Sequence, residues 1–267
     1  MRKWYGKLAI IGVLLLLVVG LAMQSWNAPV LRVGVLPGMQ ADFMKEVRAA
    51  AAEQGMRIEV VLLQDYAEPN MKLARGDIDA VAFQPQALLA EECRERGFAF
   101  AVLCRTLLYP MGVYARSPGQ NLAELPAGAV VHLPQEAVNG SRALRLLEQA
   151  GLIRLRSGHG TAAALSDIEE NPRGLIFVEW PELSLPEHFM EADLTVMGTT
   201  LAGTLELVPV RDAAAIEAAD SPYAQVVAVR QKDLERPEIQ QLRAICTSER
   251  LRTFAAEKTA GEALAAF

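Results

Sequence analysis

The chain has 267 residues, 52% of them hydrophobic and 22% charged, with a formal net charge of −6. This is a globular composition, long enough for one large or two medium domains, and no Lys/Arg-rich run beyond the N-terminus suggests nucleic acid. Cys93, Cys104 and Cys246 are far apart, with neither a CxxC pair nor metal-ligand spacing, so neither a disulfide framework nor a metal site is expected.

Arg2, Lys3 and Lys7 precede an uncharged apolar run over residues 8–23. A positive start followed by an apolar stretch is the pattern of an export signal, and Gly20-Leu21-Ala22 offers small residues for a cut after Ala22. The run is slightly long for a signal peptide and slightly short for a spanning helix. Residues 1–29 are therefore read as a signal peptide or N-terminal membrane anchor. Either way the positive end stays inside and the body is periplasmic or otherwise extracytoplasmic, with membrane contact confined to the N-terminal segment.

After this segment, residues 30–36 alternate and break at Pro37-Gly38, as a strand entering a loop. Residues 41–54 carry Phe43, Met44, Val47, Ala50 and Ala51 at helical spacing, and Gly55 ends them. A strand over 57–63, a helix over 66–74, a strand over 78–83 and a helix over 87–96 complete a β-α alternation, which implies a parallel sheet covered by helices. Residues 98–103 and 111–115 read as strands around Tyr109-Pro110. A second α/β unit follows, with strands over 129–133, 152–155 and 174–179 and helices over 141–151 and 165–170. Strands over 208–210 and 223–230 and helices over 236–248 and 249–254, with a helical remainder, close the chain. The expected organisation is two lobes joined by two crossings: residues 30–112 with 211–267, and residues 113–210.

In open α/β sheets ligands gather outside the carboxyl ends of strands at a switch point, which places Phe83, Gln84, Pro85 and Gln86 where a small molecule would sit. Arg142 follows a turn at the start of a helix. A guanidinium there can hold a carboxylate through two parallel hydrogen bonds, helped by free helix-start N–H groups. Tyr66, at its own helix start, can supply an apolar wall with a polar tip. No catalytic constellation is found. His132, His159 and His188 pair with no cysteine or carboxylate at ligand spacing, and His132 reads as a core histidine on an apolar strand. Gly158-His159-Gly160-Thr161 reads as a loop rather than a phosphate site, and there is no GxSxG. No enzyme activity, metal or cofactor is expected.

Six phrases, in unbroken order over about residues 31–255, resemble the NlpA-type lipoproteins, the methionine-binding components of bacterial ABC importers. They are Asp65-Tyr66-Ala67-Glu68-Pro69-Asn70, Asp79-Ala80-Val81-Ala82-Phe83-Gln84, Tyr109-Pro110-Met111-Gly112-Val113-Tyr114, Asn139-Gly140-Ser141-Arg142-Ala143-Leu144, Gln149-Ala150-Gly151-Leu152-Ile153 and the run from Asp220-Ser221-Pro222-Tyr223 to Arg230. The resemblance implies an α/β, two-lobed periplasmic-binding-protein fold, each lobe a sheet flanked by helices, with an amino-acid-like ligand in an interlobe cleft and an ABC importer permease as partner. By the resemblance, Arg142 holds the ligand's carboxylate, Tyr66 and Phe83 are aromatic walls, and Asn139 is a polar residue of the same loop.

The departures from the family pattern are specific. Pro85 and Leu88 stand where the family has a histidine and a tyrosine, Gly198-Thr199-Thr200-Leu201 where it has Asn-Gly-Asn-Tyr, and Gln225 where it has an asparagine. Gln84, Thr199, Thr200 and Gln225 are then the polar selectors. Each lost partner of a buried hydrogen-bonding group costs about 1–3 kcal/mol, which counts against methionine itself. The family's lipidated cysteine is also missing after Gly20-Leu21-Ala22, the first cysteine being Cys93. The expectation is an extracytoplasmic solute-binding protein for a small amino-acid-like carboxylate. The alternative is a membrane-anchored, repurposed scaffold acting through a protein partner or as a sensor.

Overall fold

The computed structural model describes residues 30–66, 68–158 and 162–267. The N-terminal apolar segment and His159-Gly160-Thr161 lie outside the described residues. Among the described residues, no helix is long and apolar enough to cross a membrane, and Cys93, Cys104 and Cys246 are free thiols.

The first strand, β1 (Val30–Val35), leads into α1 (Met39–Glu53), whose Phe43, Met44, Val47 and Ala51 are buried on one stripe. β2 (Arg57–Leu62), α2 (Glu68–Arg75), β3 (Ala80–Pro85), α3 (Gln86–Arg96) and β4 (Phe100–Arg105) follow. The β-α alternation dictates parallel neighbours, and β1 indeed pairs in parallel with both β2 and β3. Gly34 on β1 sits close under its neighbours, and a Cβ there would lie 2.7 Å from Ile78 Cδ1 and 3.0 Å from Leu63 Cδ1, so those side-chain ends would have to shift.

The chain then builds a second α/β unit. Its elements are β5 (Leu107–Leu108), β6 (Met111–Ala115), β7 (Val130–Pro134), α4 (Ala137–Gln149), β8 (Arg154–Leu155), β9 (Ile168–Glu170), β10 (Ile176–Trp180), β11 (Leu194–Gly198), α5 (Thr199–Thr204), α6 (Pro209–Asp212) and β12 (Ala215–Ile216). The main sheet runs β10-β7-β11-β6-β12. Its core gathers Val131 and Leu133 of β7, Leu144 and Leu147 of α4, and Leu194 and Val196 of β11.

β13 (Gln225–Arg230) returns to the first sheet, which is ordered β2-β1-β3-β13-β4, and lies antiparallel to both β3 and β4. α7 (Pro237–Cys246), α8 (Glu249–Thr259) and β14 (Leu264–Ala265) end the chain, β14 pairing with β5.

Two compact units result, one of residues 30–105 with Gln225–Leu251, the other of Thr106–Ala224 with Arg252–Phe267. This differs from the expected boundaries. Residues 106–112 and 211–224 belong with the second unit because β12 pairs with β6, and the last residues join it through the β14–β5 ladder. The chain therefore crosses three times, after Arg105, Ala224 and Leu251, rather than twice. Within the elements, residues 168–170 form a strand rather than helix, because they pair with β8, and residues 209–212 form a helical turn begun by Pro209 rather than a strand.

His132 of β7 is 3% exposed, beside Val178 of β10 and Thr195 of β11 in register. The Trp180 ring meets it edge-on at 5.8 Å and itself stacks on His188 at 3.6 Å. His132 is thus a core histidine, hydrogen-bonded to the His188 backbone, while its Nδ1 has no partner among the described residues. Burial lowers its pKa below the ordinary 6.5. The unfolded chain therefore takes up this proton first as pH falls, so the protein loses stability on acidification through about pH 6.5. Urea midpoints measured at pH 7 and pH 5 should fall less in His132→Gln than in the parent. Equal falls would exclude His132 as a source of acid sensitivity.

Candidate functional site

In each main sheet the strand order reverses at one strand. In the first sheet β1 has β2 on one side and β3 on the other; in the second, β7 has β10 on one side and β11 on the other. Crevices outside the carboxyl ends of strands at such a reversal are where open α/β sheets bind ligands. The expected site residues fall at these ends. Phe83 and Gln84 close β3, Asn139 and Arg142 lie on the first turns of α4 after β7, and Thr199 and Thr200 open α5 after β11.

In the first unit, Tyr66 is 68% exposed with its ring 6.1 Å from that of Phe83, which is buried in the core with Leu73, Leu89 and Val226. Gln84 is buried. Its amide nitrogen donates to Asn70 Oδ1 at 3.0 Å, and Asn70 Nδ2 in turn donates to Glu92. Gln225 is half-buried at the start of β13, in register with Pro85.

In the second unit, Arg142 is the centre of a dense polar knot. Its Nε donates to Glu217 Oε1 at 2.7 Å, and Nη2 donates both to Glu217 Oε2 and to the Tyr109 carbonyl, the latter at 2.8 Å. The guanidinium carbon lies 4.7 Å from the centre of the Tyr223 ring, a cation–π contact. The two charged side chains are only 14% and 7% exposed. Glu217 is itself fixed by the Met111 N–H, which donates to Oε2 at 2.8 Å, while the Glu217 N–H donates to the Met111 carbonyl at 3.1 Å. The next carbonyl back, that of Pro110, accepts from Thr199 Oγ1 at 2.8 Å, so Tyr109-Pro110 ties the starts of α4 and α5 together. Among the described residues Nη1 of Arg142 has no hydrogen-bond partner, which leaves one end of a preorganised guanidinium to donate to an incoming acceptor.

A hollow of about 60 Å³ lies beside this knot, lined in part by Arg142, Arg145, Glu217 and Tyr223. That is room for a carboxylate-sized group or a pair of waters, not for a whole amino acid. Burial pushes the Tyr223 phenol up, against the opposing charges of Arg142 and Arg145. Burial, with the Glu262 charge second, raises Tyr109 to about 12. Both phenols are neutral at physiological pH. A second hollow, lined by residues such as Arg48, Met56 and Glu59, is at the β2 edge of the first unit and includes none of the expected site residues in its lining. Among the described residues no cluster of metal-ligating side chains occurs.

The match to the family model for NlpA lipoprotein covers residues 31–267. The chain belongs to the NlpA lipoprotein family. Within it, the D-methionine-binding lipoprotein MetQ of Escherichia coli K12 is 34% identical over 85% of this chain and 84% of its own. Outer membrane lipoprotein 2 of Mannheimia haemolytica is 34% identical over 81% and 79%. A nutrient binding protein from Burkholderia cenocepacia, solved bound to methionine, aligns with a TM-score of 0.64 at 34% identity, covering 89% of this chain and all of the other. Relatives of this family are binding proteins rather than enzymes, and the two helix-flanked sheets of this chain are the family's two-lobed α/β fold.

Several of the polar residues expected around the ligand are engaged within their own unit. Gln84 is held by Asn70, Thr199 by Pro110, and Asn139 Nδ2 donates to Glu182 Oε2 at 2.6 Å, while Thr200 is exposed. Sequence reasoning missed Glu217 as the partner of Arg142. Its only signal is that it is the single charge between Asp212 and Asp220, in an otherwise alanine-rich apolar stretch. Tyr109 enters through its carbonyl, which side-chain reasoning cannot find.

Gly140 allows α4 to start close against β7. A Cβ there would lie 2.8 Å from the Pro134 carbonyl oxygen, a backbone atom that cannot swing aside. Gly140→Ala is expected to cost about 1–3 kcal/mol through this overlap. Gly203→Ala, in α5 with nothing within 4 Å, should be neutral or mildly stabilising. Thermal melts of the two variants check the contrast; equal midpoints would show that α4 can shift at no cost.

Proposed function

We propose that this chain is the extracytoplasmic solute-binding protein of an ABC-type importer and that it takes a small amino-acid-like carboxylate. The observation that carries the reading is the Arg142 guanidinium. It is mostly buried, stacked on Tyr223, and fixed by Glu217 and the Tyr109 carbonyl, with Nη1 left to donate. Binding at an arginine already held in place loses less side-chain entropy than binding at a mobile one. In the first unit the exposed Tyr66 ring, backed by the buried Phe83 ring, is proposed as the aromatic wall for an apolar ligand tail. Gln84, Asn139, Thr199, Thr200 and Gln225 are proposed as polar residues around the ligand. Relatives named for D-methionine binding make methionine the first compound to test, and the importer's permease is the partner this reading requires. The N-terminal apolar segment and the family name fit an exported, membrane-associated protein.

A second reading has its own observation. Gln84, Asn139 and Thr199 all spend hydrogen-bonding groups on neighbours in their own unit. A scaffold that no longer selects a small ligand and acts through a protein partner would have this feature. Thermal unfolding of residues 27–267 against the free amino acids, D-methionine and short peptides separates the two. A ligand at 100 times its dissociation constant adds about 2.7 kcal/mol. Stabilisation by one compound supports the solute receptor. No response after refolding from denaturant supports the scaffold.

Arg142→Ala should abolish ligand-induced stabilisation. It should also lower the stability of the unliganded protein by about 3–5 kcal/mol, because it strands the buried Glu217 carboxylate. Full ligand-induced stabilisation retained in this variant would remove Arg142 from the site.

A further inference from the structure

We propose that Glu217 is the specificity-determining residue of the Arg142 site, setting it to accept zwitterions and to reject simple carboxylate anions. The inference rests on the reading that Arg142 receives the ligand's carboxylate.

Three observations carry it. First, Glu217 is an internal carboxylate on the same guanidinium, bonded at Nε and Nη2, and both groups are mostly buried. The pair is locally neutral before any ligand arrives. Second, the Nη2 hydrogens are spent on Glu217 and on the Tyr109 carbonyl, so a ligand carboxylate has Nη1 to approach, on a guanidinium whose other edge Glu217 already holds. Third, Glu217 cannot swing away without cost, because its Oε2 also holds the Met111 N–H and its own backbone N–H is bonded to the Met111 carbonyl.

A lone anion brought to Nη1 therefore meets a like charge across one guanidinium in a partly desolvated place, and like charges brought this close repel strongly where water is scarce. A zwitterion carries its own ammonium and leaves the local charge unchanged. Arg145 lines the same hollow and adds a positive charge felt at Tyr223. That charge is present with or without Glu217, so a substitution at Glu217 alone isolates its effect.

The test compares each free amino acid that stabilises the protein with its deaminated acid, beginning with methionine and 4-methylsulfanylbutanoate, by calorimetric titration. The parent should bind the zwitterion at least about tenfold more tightly. Glu217→Gln keeps the length and an acceptor for Met111 and Arg142 but removes the charge. It should shift the ratio about tenfold or more toward the deaminated acid. Glu217→Asp keeps the charge and shortens the reach. It should weaken both compounds while holding the ratio within about threefold, and it carries the test if Glu217→Gln does not fold. A ratio unchanged in Glu217→Gln, or one that collapses in Glu217→Asp, overturns the inference while leaving the Arg142 reading in place. Ligand binding that survives Arg142→Ala, or a parent that responds to no free amino acid, overturns that reading and this inference with it.

Discussion

A buried arginine must be paired or it will not stay buried, and much of the second unit can be understood from how Arg142 is paired. Its carboxylate partner comes from the residue after β12, its carbonyl partner from the residue two before β6, and its aromatic partner from the segment before β13. Tyr109 is distant in sequence from Glu217 and Tyr223, and one guanidinium gathers all three. Isolated ion pairs of this kind are poor sources of net stability, because desolvation offsets most of the attraction. What they supply is orientation. Arg142 has a defined direction before any ligand is present, which a flexible surface arginine lacks.

The backbone contributes as much as the side chains. α4 can place Arg142 where it does because Gly140 lets its first turn approach the Pro134 carbonyl, and because Tyr109-Pro110 presents successive carbonyls to Arg142 and Thr199. The side chains expected to read the ligand are held by neighbours from the same unit: Gln84 by Asn70, Asn139 by Glu182. Such bonds fix side-chain direction and leave only the remaining donors and acceptors for recognition.

The β-α alternation of residues 30–105 was legible because each element there carries a clear period and a glycine or proline stop, as at Gly55, Gly76 and Pro37-Gly38. Arg142 was legible through its place after a turn and through the family phrase around it. β11 was not seen, although it is a central strand, because Leu194 to Gly198 follows a run of short helical turns with no strong boundary. β5, β12 and β14 are two residues each, too short for any period to register. The return of residues 211–224 to the second unit was hidden for the same reason, since it depends on the β12 pairing. Glu217 was invisible as a ligand of Arg142 because nothing in a sequence separation of 75 residues announces an ion pair.

The position of β13 has a consequence for the order in which the molecule can assemble. It lies between β3 and β4, yet it is the last of the five strands of that sheet to be made. Until Gln225–Arg230 is available, the β3 and β4 edges have no partner and the cluster of Phe83, Leu73 and Leu89 lacks Val226 and Ala228. The first unit therefore cannot close as its own residues emerge, and must wait for most of the second to be synthesised. A chain built this way folds through non-local contacts and stays open until late, and a polypeptide that must thread a membrane before it folds has use for that delay.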